Sequence, residues 1–299
     1  MNQADAKVIS AKNSTTGRSY EPPAPKWLKT GLRTLDVVMP RTAASVLQRL
    51  FTTPPRPALR PDEAAVLAQA RRWQGRVRGM AMSGYEWGNP DDPAVLLIHG
   101  WGGHAGHMSG MVEPLLAAGY RVLAVDVPGH GDSPRGQVAL PHFHEAIEEM
   151  ASRAGRDSVQ GLIAHSFGAA AATYGLSRGL QIPRVVFVGP MTQFGALWAA
   201  VQARTGVSQR LVQRMISRME ARFCLGFDEI EPVVLAGQLQ TPLLVLHDLH
   251  DDKVAIGQGE ALVANWRGAA LRTSSQLGHL KILKDQASVA AAVGFLQRA

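Results

Sequence analysis

From Ala94 onward the chain repeats one rhythm: a short apolar run, a loop, then a helical stretch. The apolar runs fall at 94–98, 121–125, 159–164, 184–188 and 243–246. Helical spacing follows the first three at about 107–118, 141–153 and 167–179. A helix near 257–266, a strand near 269–273 and a last helix from Asp285 complete the series. Parallel neighbours need a crossover between them, and a helix is the usual one. The alternation therefore predicts an α/β fold, a mostly parallel sheet with helices on both faces. Chemistry in such sheets gathers at the carboxyl ends of the strands.

One segment interrupts the rhythm. Residues 191–235 hold no good strand and one strong helix, Ser208 to Phe223. Leu211, Val212, Met215, Ile216, Met219 and Phe223 share one side, and Arg210, Arg214, Arg218 and Arg222 another. This predicts a helical cap inserted over the strand ends, with the arginine stripe as a solvated face. The core is then 75–190 and 236–299, and 26–74 is an N-terminal helical extension. Within it Trp27–Phe51 has apolar residues at helical spacing, broken at Pro40. That pattern fits two helices packed on the main body. The rival is a membrane-surface contact through residues 27–51, since Lys26, Lys29 and Arg33 flank the stripe. Residues 75–88 alternate around Gly84 as a hairpin would. Residues 1–25 are polar, end in Glu21-Pro22-Pro23-Ala24-Pro25, and predict a disordered tail and proline-rich linker.

Bulk properties limit the function classes. The 46% hydrophobic and 18% charged fractions belong to an ordinary globular protein of 299 residues. The net charge of +7 is spread without a run of five Lys/Arg, so no nucleic-acid partner is expected. The first twenty residues lack an apolar signal core, and the single Cys224 fits a reducing compartment, which together point to the cytoplasm. Cys224, flanked by Phe223 and Leu225, reads as a small buried hydrophobe. Nothing sets the oligomeric state.

Reactive residues follow the strands. His99-Gly100-Trp101-Gly102-Gly103 comes after the first, Asp126-Val127-Pro128-Gly129-His130-Gly131 after the second, and Ala164-His165-Ser166-Phe167-Gly168 spans the third strand-to-helix turn. After 243–246 comes His247-Asp248-Leu249-His250-Asp251-Asp252-Lys253-Val254, and Gly278-His279 precedes the last helix. A serine hydroxyl becomes nucleophilic when an imidazole takes its proton and a carboxylate fixes that imidazole's tautomer. Ser166, then Asp251 or Asp252, then His279 supply this set in the order Ser…Asp…His. Backbone N–H groups of Phe167 and Trp101 are the candidate oxyanion donors. The blander alternative for Ser166 is a helix cap.

These motifs resemble the α/β-hydrolase family, and the resemblance runs from about residue 75 to the C-terminus. It is greatest to capped bacterial hydrolases with a His-Gly-Trp-Gly-Gly oxyanion loop, a D-x-P-G-x-G segment and a G/A-H-S-x-G elbow. The family pattern H-[GD]-x-x-D-x-x-V falls on His247, Asp248, Asp251 and Val254, which selects Asp251 as the acid over Asp252 and Asp248. Ala164 replaces the first elbow glycine, and Ala255 replaces a customary proline. The resemblance implies a serine hydrolase of carboxylic esters working through an acyl-enzyme, with thioesterase or acyltransferase chemistry as relatives. It implies a small-molecule ester or acyl substrate, no cofactor and no metal. A serine in this place argues against haloalkane dehalogenation.

Three rivals stand beside this expectation. The first is a hydrolase-fold protein that binds a ligand or partner without turnover. The second reads Gly100-Trp101-Gly102-Gly103-His104-Ala105 and Asp126 as a dinucleotide site, but leaves Ser166, Asp251 and His279 unexplained. The third is a metal at His247, His250, Asp251 and Asp252, or at His99, His104 and His107. Neither group has the spacing of a familiar zinc site.

Overall fold

The computed structural model describes residues 25–298. The tail and linker expected over 1–25 lie outside the described residues, apart from Pro25. Eight strands build one sheet: β1 (Arg71–Val77), β2 (Met80–Trp87), β3 (Ala94–Ile98), β4 (Arg121–Asp126), β5 (Val159–His165), β6 (Val185–Val188), β7 (Leu243–Asp248) and β8 (Ala270–Ser274). Their order is β1-β2-β4-β3-β5-β6-β7-β8. β2 is antiparallel to both β1 and β4, and every other pairing is parallel. The chain passes from β3 to β4 on one side, then crosses back to β5 on the other. Winding reverses there, and an open α/β sheet leaves a crevice at such a switch point.

Each residue of β3 and β4 is buried, because helices cover both faces of these strands. On one face Leu96, Ile98, Leu162 and Ala164 pack with Phe143 and Ile147 of α5 (Leu140–Ala154), Ala170 of α6 (Phe167–Ser177) and Leu262 of α10 (Ile256–Asn265). On the other, Val95, Leu97 and Ile163 pack with Leu115 of α4 (Val112–Ala117) and Val289 and Val293 of α12 (Gln286–Leu296). A Leu, Ile or Val fully removed from water contributes roughly 1.5–3 kcal/mol. That explains why these strands read as unbroken apolar runs rather than alternating ones.

Four local expectations need correction. The hairpin turns at Arg78-Gly79, both at positive φ, and not around Gly84. Gly84 lies inside β2 opposite Trp73, where a Cβ would stand 2.0 Å from Trp73 Cε2. The glycine therefore marks a close approach, not a turn. The stretch expected as one helix over 107–118 is a 3₁₀ run, Ala105–Met111, leading into α4. Residues 191–235 carry not one helix but α7 (Phe194–Thr205), α8 (Gln209–Phe223) and the short α9 (Pro232–Leu235). α7 is apolar on nearly all sides, so its sequence lacks the two-faced contrast that reveals α8. Cys224 is exposed, not buried: it takes the left-handed position that ends α8, with φ 53°.

The N-terminal extension is α1 (Lys26–Val38), α2 (Pro40–Thr52) and α3 (Pro61–Ala68). Leu32, Ala43, Ala44 and Leu47 pack against Leu211, Met215 and Met219 of α8. The arginine stripe is solvated as expected at the exposed Arg210, Arg218 and Arg222, and three of its members also reach neighbours. Arg214 pairs with Asp36 at 3.4 Å, Arg218 donates to Gln48 at 3.3 Å, and Arg222 donates to Gln137 at 3.0 Å. The Val138 amide bonds the Thr52 carbonyl and Arg56 Nε bonds the Gly129 carbonyl, pinning the extension to the loop after β4. Trp27, Val37, Val38 and Met39 remain exposed on the outer side. No described helix is long and apolar enough to cross a membrane.

Candidate active site

Ser166 joins β5 to α6 at φ 52° and ψ −115°, a conformation a side chain seldom adopts. A non-glycine residue there carries backbone strain of order 1–3 kcal/mol, which the surroundings must impose. They do: the Ser166 amide bonds the Val188 carbonyl at 3.0 Å, and its own carbonyl accepts from Ala169 and Met191. Close packing finishes the turn. A Cβ on Gly168 would lie 2.7 Å from the His99 carbonyl, and one on Gly100 would lie 2.8 Å from Ser166 Cβ. The methyl of Ala164, by contrast, sits in the core on the helix-covered face, so glycine is not required there.

His279 is the second residue of the short α11 (Gly278–Lys281), and its Nδ1 lies 2.7 Å from Asp251 Oδ2. Asp251 Oδ1 accepts the amides of Lys253 and Val254 at 2.8 and 2.9 Å, while Oδ2 also lies 3.5 Å from His247 Nε2. Burial alone would raise the Asp251 carboxyl, but hydrogen bonds from His247, His279 and Val254 outweigh it and hold it well below the usual carboxylate range. An ionised Asp251 can only accept, so the proton between the pair resides on His279 Nδ1 and leaves Nε2 as the basic nitrogen. Asp252 points outward, with Lys253 at 3.9 Å. Asp248 accepts from the amides of His250 and Leu277 and from Ser274 Oγ, bracing the segment that leads to His279. Of the three aspartates, Asp251 is the one against the imidazole.

Sequence reasoning left the supporting histidines without roles. His165 is buried, and its Nε2 lies 3.0 Å from the His279 carbonyl, with the two rings 4.4 Å apart. Burial, and then the neighbouring His279, keep His165 neutral by pushing its pKa well down. His99 Nε2 accepts the Val127 amide while Nδ1 faces the Gly100 carbonyl at 2.7 Å, lacing the loop after β3 to the loop after β4. The sign of these roles was the position of each histidine at a strand end. Asp126, the acid of the dinucleotide alternative, instead accepts from the Ala105 and Asp132 amides and Tyr85 Oη. It ties the same two loops together and leaves no open carboxylate for a ribose. The His247, His250, Asp251 and Asp252 set does not converge as a ligand group among the described residues, whereas His104 and His107 converge with Glu63.

A cavity of about 610 Å³ has Trp101 and Phe167, the residue after Ser166, in its wall, while Ser166, Asp251 and His279 are not among its lining residues. The amides of Trp101 and Phe167 have no acceptor among the described residues. Phe51, from α2, stacks on Trp101 with centroids 6.2 Å apart and meets Trp198 of α7 at 5.3 Å. The Trp101 and Phe167 rings meet edge to face at 5.6 Å. Leu197, Met219 and Phe227 add further apolar surface. The cavity is thus closed partly by the N-terminal extension, which the sequence offered only as a packed pair of helices.

Known proteins resemble this chain at several levels. A pimeloyl-[acyl-carrier protein] methyl ester esterase of Chromobacterium violaceum is 25% identical over 244 residues, 65% of this chain and 90% of that protein. A protein of the same name from Methylococcus capsulatus is 57% identical over 42 residues, only 14% of this chain and 16% of that one. Among solved structures, an esterase of Pyrococcus furiosus superposes with a TM-score of 0.63 at 20% identity, covering 82% of this chain and 98% of that one. At that identity the likeness concerns the fold alone. Residues 95–291 match the sequence profile of the alpha/beta hydrolase family. With that span, two thirds of the chain and every strand from β3 onward, the protein belongs to the alpha/beta hydrolase family.

Proposed function

We propose that this protein is a serine hydrolase of carboxylic esters in which Ser166 is acylated and then freed by water. The observation that carries the reading is the 2.7 Å contact of His279 Nδ1 with ionised Asp251, behind a serine held at positive φ. In this scheme His279 Nε2 takes the Ser166 proton as Oγ attacks the ester carbonyl, and returns it to the departing alkoxide. Asp251 fixes the tautomer and stabilises the imidazolium. Charge that builds on the carbonyl oxygen meets the amides of Trp101 and Phe167, and one such donor is worth about 10²–10³ in rate. Water then repeats the sequence on the acyl-enzyme. No step calls for a cofactor.

The cavity's apolar lining favours an acyl or alcohol portion of hydrocarbon character. Relatives named for a pimeloyl-[acyl-carrier protein] methyl ester support esters over amides, with thioesters and acyl transfer as neighbouring chemistry. We read α7, α8 and α9, roofed by α1 and α2, as a cap that shapes this cavity. The test is direct: label wild type and Ser166→Ala with a fluorophosphonate, then assay p-nitrophenyl esters of increasing chain length. Labelling of wild type alone, with turnover of at least one ester, is expected. Labelling that survives Ser166→Ala overturns the nucleophile assignment. Labelling without any ester turnover moves the protein to another acyl substrate or to ligand binding without turnover.

A further inference from the structure

We propose that Glu63, His104 and His107 form a binding site for one divalent transition-metal ion of the zinc class, separate from the Ser166 centre. The three come from two segments that meet across the fold. Glu63 lies in the first turn of α3, and the two histidines lie at the start of the 3₁₀ run Ala105–Met111 and within it. One ligand atom from each lies within 4.8 Å of the others, and His104 Nε2 is already 3.8 Å from Glu63 Oε2. Donors held at 2.0–2.1 Å around a tetrahedral zinc lie about 3.4 Å apart, so side-chain shifts of about 1 Å close the site. Two imidazoles and a carboxylate suit Zn²⁺ and its neighbours better than Mg²⁺ or Ca²⁺, which prefer oxygen.

The independent observation is His104 itself. It is 3% exposed, yet neither ring nitrogen has a hydrogen-bond partner. An orphaned buried polar group costs about 1–3 kcal/mol, and such groups in a native protein call for an explanation. An ion bound through one nitrogen accounts for that one of the two. Among the other buried histidines, His99, His165 and His247 each engage a backbone group through at least one nitrogen, although Nδ1 of His165 and of His247 also has no partner. Of the buried histidines, only His104 has neither nitrogen in a hydrogen bond among the described residues. The rings of His104 and His107 instead face each other, 4.1 Å apart, with no hydrogen bond between them. Gly106 between them leaves the space: a Cβ there would lie 2.9 Å from His104 Nδ1 and 3.0 Å from Glu63 Cβ.

The surroundings orient the carboxylate and also oppose the ion. The Arg60 amide donates to Glu63 Oε2 at 3.0 Å, fixing the group in place. Lys284 Nζ lies 3.0 Å from Glu63 Oε1 and 2.7 Å from Asp62. Its charge repels a cation, and Asp62 gives it a partner on the solvent side when one binds. An ion here ties α3 to the segment that leaves the His99–Gly103 loop.

The test uses the full chain, stripped with a chelator and titrated with Zn²⁺ by calorimetry. Co²⁺ is added in parallel, and its visible absorption reports ligation by nitrogen and oxygen. One ion per chain is expected, with affinity lowered at least tenfold by His104→Gln and by His107→Gln, and raised by Lys284→Met. His250→Gln, at an exposed histidine, should leave binding unchanged. Each variant's melting temperature without metal checks that it folds. If His104→Gln does not fold, the partly exposed His107→Gln carries the test. Absence of saturable binding in wild type overturns the proposal. So does one-to-one binding that both folded histidine variants retain in full. Neither readout involves Ser166, so the ion site and the ester chemistry stand or fall separately.

Discussion

The polar floor around Ser166 and the apolar roof that lines the cavity at Trp101 and Phe167 are built on opposite principles. Beneath Ser166 the structure is polar and laced: Asp251, His279, His165 and Asp248 each make named hydrogen bonds within a crowded sheet end. Above it, Phe51, Leu197, Trp198 and Phe227 meet through shape alone. A laced floor fixes atoms to within fractions of an ångström, because each buried polar group has few places to go. An apolar roof tolerates exchange of one hydrocarbon for another of similar volume. The comparison predicts that floor substitutions abolish chemistry and roof substitutions redirect it.

The largest expected effect is Ser166→Ala, with ester turnover falling on the order of 10⁴-fold or more while the melting temperature stays near wild type. A loss of only a few fold would mean that the serine is not the nucleophile. Next, Asp251→Asn should lower kcat by about 10³–10⁴ through the wrong His279 tautomer, whereas Asp252→Asn should change it less than about twofold. Equal losses from both would break the claim that one aspartate faces the imidazole.

Roof changes should be smaller and selective. Phe51→Ala or Trp198→Ala is expected to lower kcat/KM for long-chain esters by about 10–100-fold and to spare acetate esters. A uniform loss across chain lengths would place these residues in the chemistry rather than in selection. The gentlest expectation concerns pH. His107, His130 and His142 are each pushed down to about 4, chiefly by burial, from an ordinary value of 6.5. The unfolded chain therefore binds more protons than the folded one between pH 6.5 and 4. Stability from these groups is complete above 6.5 and is lost as pH falls towards 4. Urea midpoints taken at pH 7 and pH 5 should fall with acidification, and a flat profile would contradict their burial as neutral rings.

Much of the floor could be read in the sequence because its residues are tied to strand ends. The apolar runs at 94–98 and 159–164 place His99 and Ser166, and β3 and β5 do pair as parallel neighbours. The roof could be read only in part. α8 announces itself by its two faces, whereas α7 is apolar all round and leaves no periodic trace. Cys224 misled because its flanking residues are apolar, while its own place at the end of α8 turns it to solvent.

The chain's own pattern thus determined the parallel sheet, the strained serine turn and the set Ser166, Asp251 or Asp252, and His279. Periodicity and local turn chemistry act over a few residues, and a one-dimensional string records them. The family pattern had selected Asp251, which the structure places against His279, whereas tertiary structure alone decided how the extension came to line the cavity and that Glu63 joins His104 and His107. Each depends on contacts between segments far apart in the chain, set by the summed packing of the whole sheet and its helices, and no local pattern carries that information.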